Sequence, residues 1–318
     1  MDGLENIFLM LQQGLFETAV QPAMFALGLG NLLEDGYAAT AWFMVGLIQI
    51  SIMLAVIGPL QRWRPVEPVL DRATIRVDIL YTLIHRLGLF RIALFFTLTP
   101  WFDAAFGALR AAGYSTFHLD QLWPGVTDNA LVSLLIYLLV FDLIGYWIHR
   151  GQHQWGYWWR LHSLHHAQRQ MTMWSDNRNH LLDDILVDSL LVIAAQLIGV
   201  APGQFIAIVA LTQLSESFQH ANLRLWFGRI GERLWVSPRF HRRHHGIGVG
   251  HELLGKNTLG GVNFGVFLPW WDMLFGTSNF EQRYDPTGVR DQVEQSRDYG
   301  RGFWSQQWMG VKRLVGRA

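Results

Sequence analysis

Residues 38–60 (AATAWFMVGLIQISIMLAVIGPL) carry no charged side chain. A helix of that length crosses about 30 Å of hydrocarbon. The rest of the chain agrees with a membrane setting. Of 318 residues, 51% are hydrophobic and only 16% charged, with 15 Trp and 20 Phe. Soluble domains usually carry about 25% charge. The sequence reads as an integral membrane protein. Its formal net charge is +0, so no global basic field argues for nucleic acid. It has no cysteine, which excludes disulfides, thiolate nucleophiles and Cys-ligated metal within this chain. The cations are nearly all Arg, with Lys256 and Lys312 the two lysines, a pattern of GC-rich, bacterial genomes. No basic n-region and cleavage site suggest a removable signal peptide.

Glu34 and Asp35 precede the apolar run; Arg62 and Arg64 follow it. The positive-inside tendency puts the end near residue 62 in the cytoplasm. Residues 5–30 form a poorer apolar segment. A further span is expected within 79–109, starting near 87, with Arg86 and Arg91 snorkelling to head groups. Residues 112–129 read as an outside loop. The segment 129–148 returns the chain to the cytoplasmic side. The apolar stretch 185–212 is broken at Gly199–Gly203 and reads as a helical hairpin that dips in and returns. In the tail, Phe303, Trp304, Trp308, Met309, Val311, Leu314 and Val315 alternate with Lys312, Arg313 and Arg317, as in an interfacial amphipathic helix. The expected fold is an all-α, polytopic membrane bundle with a histidine-rich cap at the cytoplasmic face. Its parts are N-terminal helices and an outside loop (1–128), a catalytic region (129–280) and a tail (281–318).

Three histidine clusters lie beside these apolar segments: His149/His153, His162/His165/His166 and His241/His244/His245. Neutral imidazole is a common ligand for zinc, copper, iron and nickel. Residues i and i+4, or i and i+3, share a helix face, so each cluster can grip an ion. Three such clusters between 149 and 245 point to a polynuclear metal centre. Asp142, Tyr146, His149 and His153 share one face. Asp142 sits in an apolar span and suits a carboxylate lying behind a ligating imidazole and orienting it; the alternative is a buried Asp bonded to a neighbouring helix. His180 and His220 flank the 185–212 hairpin and arrive at the same membrane face, which raises a ligand role for both. His251 belongs to a Gly-rich loop, and His85 and His118 read as structural. Arg160, Arg169, Arg239, Arg242 and Arg243 surround the clusters, either marking the cytoplasmic face or holding an acidic electron donor or lipid phosphate.

Over roughly 130–280 the chain resembles the fatty acid hydroxylase/sterol desaturase superfamily of membrane non-haem di-iron oxygenases. The family pattern H-x3-H, H-x2-HH, H-x2-HH matches the three clusters, and its single intervening histidines correspond to His180 and His220. The stretch Phe218–Asn222 with Pro238–His241 looks most like the alkylglycerol monooxygenase-like and bacterial hydroxylase branch. Asn263-Phe264-Gly265 stands for the family's N-Y-G, with Phe264 in place of Tyr. Trp271-Asp272-Met-Leu-Phe275-Gly276-Thr277 stands for its W-D-x-x-F-G-T. The resemblance implies two iron ions held by these ten histidines, with Asp142 and Asn263 behind the ligands. It implies dioxygen as co-substrate, a lipid entering from the bilayer, and electrons from a separate ferredoxin or cytochrome with its reductase, because this chain has no dinucleotide fingerprint. Hydroxylation leads. Desaturation, sterol methyl oxidation and ether-lipid cleavage use the same centre. From other classes come a membrane zinc hydrolase, although H-E-x-x-H is absent, and a metal transporter or structural histidine site.

Overall fold

The apolar runs fold as helices in the computed structural model, which describes residues 2–253 and 258–317; Lys256 lies outside them. The N-terminal part contains α1 (Asp2–Leu15), α2 (Gln21–Ala26), α3 (Leu33–Ile52), α4 (Gly58–Trp63), α5 (Arg72–Arg86), α6 (Leu89–Thr97) and α7 (Thr99–Ala111). The histidine-bearing part contains α8 (Ala130–Gln154), α9 (Gly156–His166), α10 (Leu181–Ile198), α11 (Pro202–Gln219), α12 (Gly228–Gly231), α13 (Pro238–His244) and α14 (Trp270–Leu274). The tail holds α15 (Arg290–Glu294) and α16 (Phe303–Leu314). Among the described residues there is no strand, only two isolated β-bridges. The protein is an all-α membrane bundle with a histidine-rich cluster.

Two helices are long and apolar enough to cross a membrane. One is Gly30–Trp63, 34 residues running through α3 and α4; the other is α8, with 25 residues. The pair α5–α6 adds a third if it is one span bent by 51°. The span expected within 79–109 falls on the end of α5, on α6 and on α7, and it is bent. The chain breaks at Gly88, whose φ of +78° a side chain with a Cβ adopts only under strain. Arg86 does not snorkel. It is buried, donating to Gln213 Oε1 at 2.7 Å, Asp176 Oδ2 at 2.7 Å and Ser217 Oγ at 2.9 Å. Helix α3 covers it closely: a Cβ on Gly46 would stand 1.7 Å from the Arg86 carbonyl oxygen. Arg91 lies over the Trp42 ring at 3.8 Å. Both arginines sit inside the bundle because α3 and the α10–α11 pair close over the end of α5.

The 185–212 hairpin forms as α10 and α11, each 18 residues. Gly199 (φ +68°) ends α10 and Pro202 opens α11. The Tyr137 hydroxyl donates to the Ile198 carbonyl at 3.0 Å. The His118 ring packs on Gly199, where a Cβ would meet Nδ1 at 2.4 Å. The hairpin's other end delivers His180 and His220. The tail helix α16 docks on α9 and α5: Gln307 Nε2 donates to the Tyr81 hydroxyl at 2.9 Å and Arg313 Nε to the Arg160 carbonyl at 3.2 Å. Trp304 and Trp308 face outward from the other side of α16, 78% and 60% exposed.

Candidate metal centre

Nine histidines converge where α8, α9, α11 and α13 meet. His149, His153, His162 and His166 each offer a ring nitrogen within 4.8 Å of the others, and so do His165, His220, His241 and His245. His244 joins His166 and His245 in a third such group, between the two tetrads. Local helix geometry explains the split. Neighbours on a helix with 3.6 residues per turn point about 100° apart, while i and i+4 nearly superpose. In H-x2-HH the first and last histidines therefore serve one focus and the middle one serves the other. On α9, His162 and His166 face the first tetrad and His165 the second. On α13, His241 and His245 face the second, and His244 turns to the first, its ring 4.4 Å from His149 and 4.6 Å from His153. The tetrads share a wall, with the His166 and His245 rings stacked at 4.2 Å.

Several rings are held by acceptors on Nδ1. His149 donates to the Phe264 carbonyl at 2.9 Å, His244 to the Val262 carbonyl at 2.8 Å and His220 to the Glu216 carbonyl at 2.8 Å. His162 Nδ1 lies 3.1 Å from Asp183 Oδ2. A carbonyl only accepts, so Nδ1 carries the proton in those three, and Nε2 presents its lone pair to the nest. In the second tetrad the Nε2 atoms meet one another: His165–His220 at 3.2 Å, His220–His241 at 3.1 Å and His241–His245 at 3.1 Å. Both nitrogens of His153 and of His166, and Nε2 of His162 and His244, are buried without a hydrogen-bond partner. Leaving a buried polar group unpaired costs about 1–3 kcal/mol. Burial first, then neighbouring imidazoles, hold His165, His166, His241, His244 and His245 well below the ordinary value of 6.5, so these rings are neutral near pH 7. Neutral, orphaned, converging nitrogens fit metal ions.

The carboxylate that holds a ring of the nest is Asp183. Besides His162 it accepts from Trp158 Nε1 at 2.6 Å and Gln152 Nε2 at 2.9 Å. The sequence reading gave that role to Asp142, and the structure corrects it. Asp142 accepts from the Phe267 and Leu268 amides at 2.8 and 3.1 Å and from Trp271 Nε1 at 2.9 Å. It ties α8 to the chain around 267–271 and touches no imidazole. The readable signal for Asp183 was an acid at the mouth of an apolar helix, three residues after His180. Asp183→Asn is expected to lower metal affinity about 10–100-fold, checked by chelator competition; unchanged retention would return Asp183 to a packing role.

Asn263 and Asp272 also act at one remove. Asn263 takes φ +60°, a conformation Asn tolerates better than most residues. Its Nδ2 donates to the Phe240 and Asn279 carbonyls at 2.9 and 3.1 Å, and its Oδ1 accepts from the Asn279 amide at 2.6 Å. Asp272 accepts from the Phe264 and Gly265 amides at 2.8 and 2.7 Å; burial raises its carboxyl to about 6. Together they fix the strip 262–265, whose carbonyls hold His244 and His149.

His180 does not join the nest, which corrects its expected ligand role. It caps α10, Nδ1 accepting from the Leu182 amide at 3.2 Å, while Nε2 donates to the Gln307 carbonyl at 2.8 Å. Both ring nitrogens are spent. His180→Ala is expected to cost about 1 kcal/mol as a lost cap and to leave metal content unchanged; loss of metal in an otherwise folded variant would restore it to the ligand set. His251 stacks on Trp159 at 5.1 Å, outside the tetrads. A cavity of about 240 Å³ opens beside the nest, touching His149, His162, His165, His220 and His241. It continues between α8, α10 and α11 past Phe141, Leu191 and Phe205.

The family model for fatty acid hydroxylases matches residues 134–277. The chain is 26% identical over 248 residues to the ornithine lipid hydroxylase OlsE of Rhizobium tropici, covering 78% of this chain and 70% of that one. It is 27% identical over 155 residues to the alkylglycerol monooxygenase of Caenorhabditis elegans, covering 48% of this chain and 28% of that protein. It is 34% identical over 92 residues to the lathosterol oxidase of Homo sapiens, covering 27% and 30%. The chain thus spans less than a third of the last two. No solved structure matches. The family match contains all nine converging histidines, Asp183 and the 262–272 clamp. Over residues 134–277 the chain is therefore similar to the fatty acid hydroxylases.

Proposed function

We propose that this chain is a membrane di-iron oxygenase that hydroxylates a lipid, with dioxygen as oxidant and a separate ferredoxin or cytochrome, with its reductase, as electron donor. The observation that carries the reading is the pair of imidazole tetrads with a shared wall at the end of a cavity in a membrane bundle. The balance is R–H + O2 + 2 electrons + 2 protons → R–OH + H2O. Iron supplies the redox chemistry needed to break an unactivated C–H bond, which zinc does not. The chain's own part is positional. Neutral rings present lone pairs without adding charge. Asp183 and the Glu216, Val262 and Phe264 carbonyls hold four of those rings in place. Apolar side chains of α8, α10 and α11 along the cavity, Phe141, Leu191 and Phe205 among them, help to exclude bulk water.

The proposed setting is the cytoplasmic face, in a bacterium that of the inner membrane. Arg62 and Arg64 mark the cytoplasmic end of their span, and that end lies beside the site: the Arg224 amide donates to the Arg64 carbonyl at 2.8 Å, and Asn222 Oδ1 accepts from the Val66 amide at 3.1 Å. Residues 1–128 then supply membrane helices and 129–280 the chemistry. The tail 281–318 rests α16 on the interface with Trp304 and Trp308 toward lipid. The test is metal content per chain after gentle purification from iron-supplemented cells. About two irons per chain support the reading. Stoichiometric zinc, with ferrous ion refused on anaerobic reconstitution, overturns it in favour of a hydrolase.

A further inference from the structure

The wall of the cavity beside the nest also carries ionisable side chains that hold none of the nine rings. Asp184 and Asp188, one turn apart on α10, line it, as does Glu216 on α11. The cation lining the same cavity is Arg91. The other acids there are occupied: Asp142 with backbone amides, Asp176 with Arg86, Asp183 with His162. Among the described residues, the side-chain carboxyl groups of Asp188 and Glu216 make no hydrogen bond, although the Glu216 carbonyl holds His220. Asp188 feels Arg91, and Glu216 feels Arg86, only at a distance. Asp184 Oδ2 and His85 Nε2 stand 3.3 Å apart, yet neither is in hydrogen-bond geometry. Ionisable groups this deep in a membrane protein are costly and mark binding sites or pathways.

A second pocket, of about 540 Å³, adjoins this wall among α3, α6 and α7, and shares Arg91, Asp188 and Val192 with the first. Its remaining lining is mostly apolar, including Phe43, Ile92, Phe95 and Phe102. An amphiphile fits the two together: hydrocarbon in the outer pocket, polar end in the inner cavity beside the imidazoles. Three carboxylates against one guanidinium select the sign of that polar end.

Resting on the oxygenase reading for the identity of the site, we propose that the substrate enters polar end first and that this end carries a cationic amine, held by Asp184, Asp188 and Glu216. Its hydrocarbon lies in the outer pocket, and the carbon presented to the metal site is near the amine, not far along an acyl chain.

The test is binding of tritiated hexadecylamine, hexadecanol and hexadecanoate to the protein as purified, in one detergent, so that micelle partitioning cancels between wild type and variants. The amine is expected to bind about tenfold more tightly than the alcohol, the size of one hydrogen bond to a charged group. Glu216→Gln and Asp188→Asn should each remove about that factor for the amine and leave the alcohol unchanged. If Asp188→Asn fails to fold without its charge opposite Arg91, Glu216→Gln carries the test alone. Equal binding of amine and alcohol, tightest binding of hexadecanoate, or an amine preference untouched in Glu216→Gln overturns the proposal. Binding needs no turnover. A zinc-loaded chain could still prefer the amine, and an iron-loaded chain without that preference would sink this inference alone.

Discussion

His165→Ala is expected to abolish turnover and strip metal from the second tetrad, with the protein still inserted in the membrane. His165 is one of the four residues whose nitrogens lie within 4.8 Å of one another there. Its ring stands 4.7 Å from His245 and 5.0 Å from His220. No neighbouring side chain can replace the lost nitrogen, because the remaining imidazoles are tethered to their own helices. The fall in metal affinity should exceed the about 10–100-fold expected for losing an orienting partner. His244→Ala removes the ring between the tetrads and should act similarly. Metal per chain and product formation are the two readouts. A variant keeping both at wild-type level would remove that residue from the ligand set.

Arg86→Met is expected to destabilise the folded protein by about 3–5 kcal/mol, the cost of stranding a buried charge. The guanidinium is the hub joining α5 to Asp176 and α11; Asp176 also accepts from Asn177 Nδ2 at 3.1 Å and Ser217 Oγ at 3.2 Å, but among the described residues no other arginine or lysine pairs with it. Asp176 also lies 3.9 Å from His220 Nδ1, so the variant should retain metal poorly. The double variant Arg86→Met/Asp176→Asn should recover much of the loss, since removing both charges removes the uncompensated one. Thermal unfolding in detergent measures both. An unchanged melting temperature in the single variant would show that the network does not hold the bundle.

Periodicity was enough to read the helices and the converging histidines, because both depend on local spacing. A run without charge reports a span; H-x2-HH reports rings on two helix faces. The two residues that changed role, and the one that was missed, depend on partners outside their own helix. Asp142 finds amides at 267 and 268. His180 is claimed by a carbonyl of the tail helix. Asp183 reaches His162 across two helices. Nothing in the spacing around an acid tells whether an imidazole or a backbone amide faces it. The Arg86 network was hidden likewise: an arginine at a helix end reads as interfacial until other helices are seen to close over it. The N-F-G and W-D-x-x-F-G-T segments were legible as motifs, but their task, holding two carbonyls under two ligands, appears only in three dimensions.

The second tetrad draws its rings from three helices far apart in the chain: 55 residues separate His165 from His220, and 21 separate His220 from His241. An ion bound there is a cross-link. It closes long loops and removes freedom from the unfolded cap, much as a staple would. The spanning helices need no such help, since lipid alone favours them. Biogenesis then separates into two stages: the spans insert first, and the cap consolidates when metal arrives. Under metal starvation the cell would hold an inserted chain whose histidine-bearing part stays open to proteases, so metal supply would govern how long the protein survives as well as whether it works.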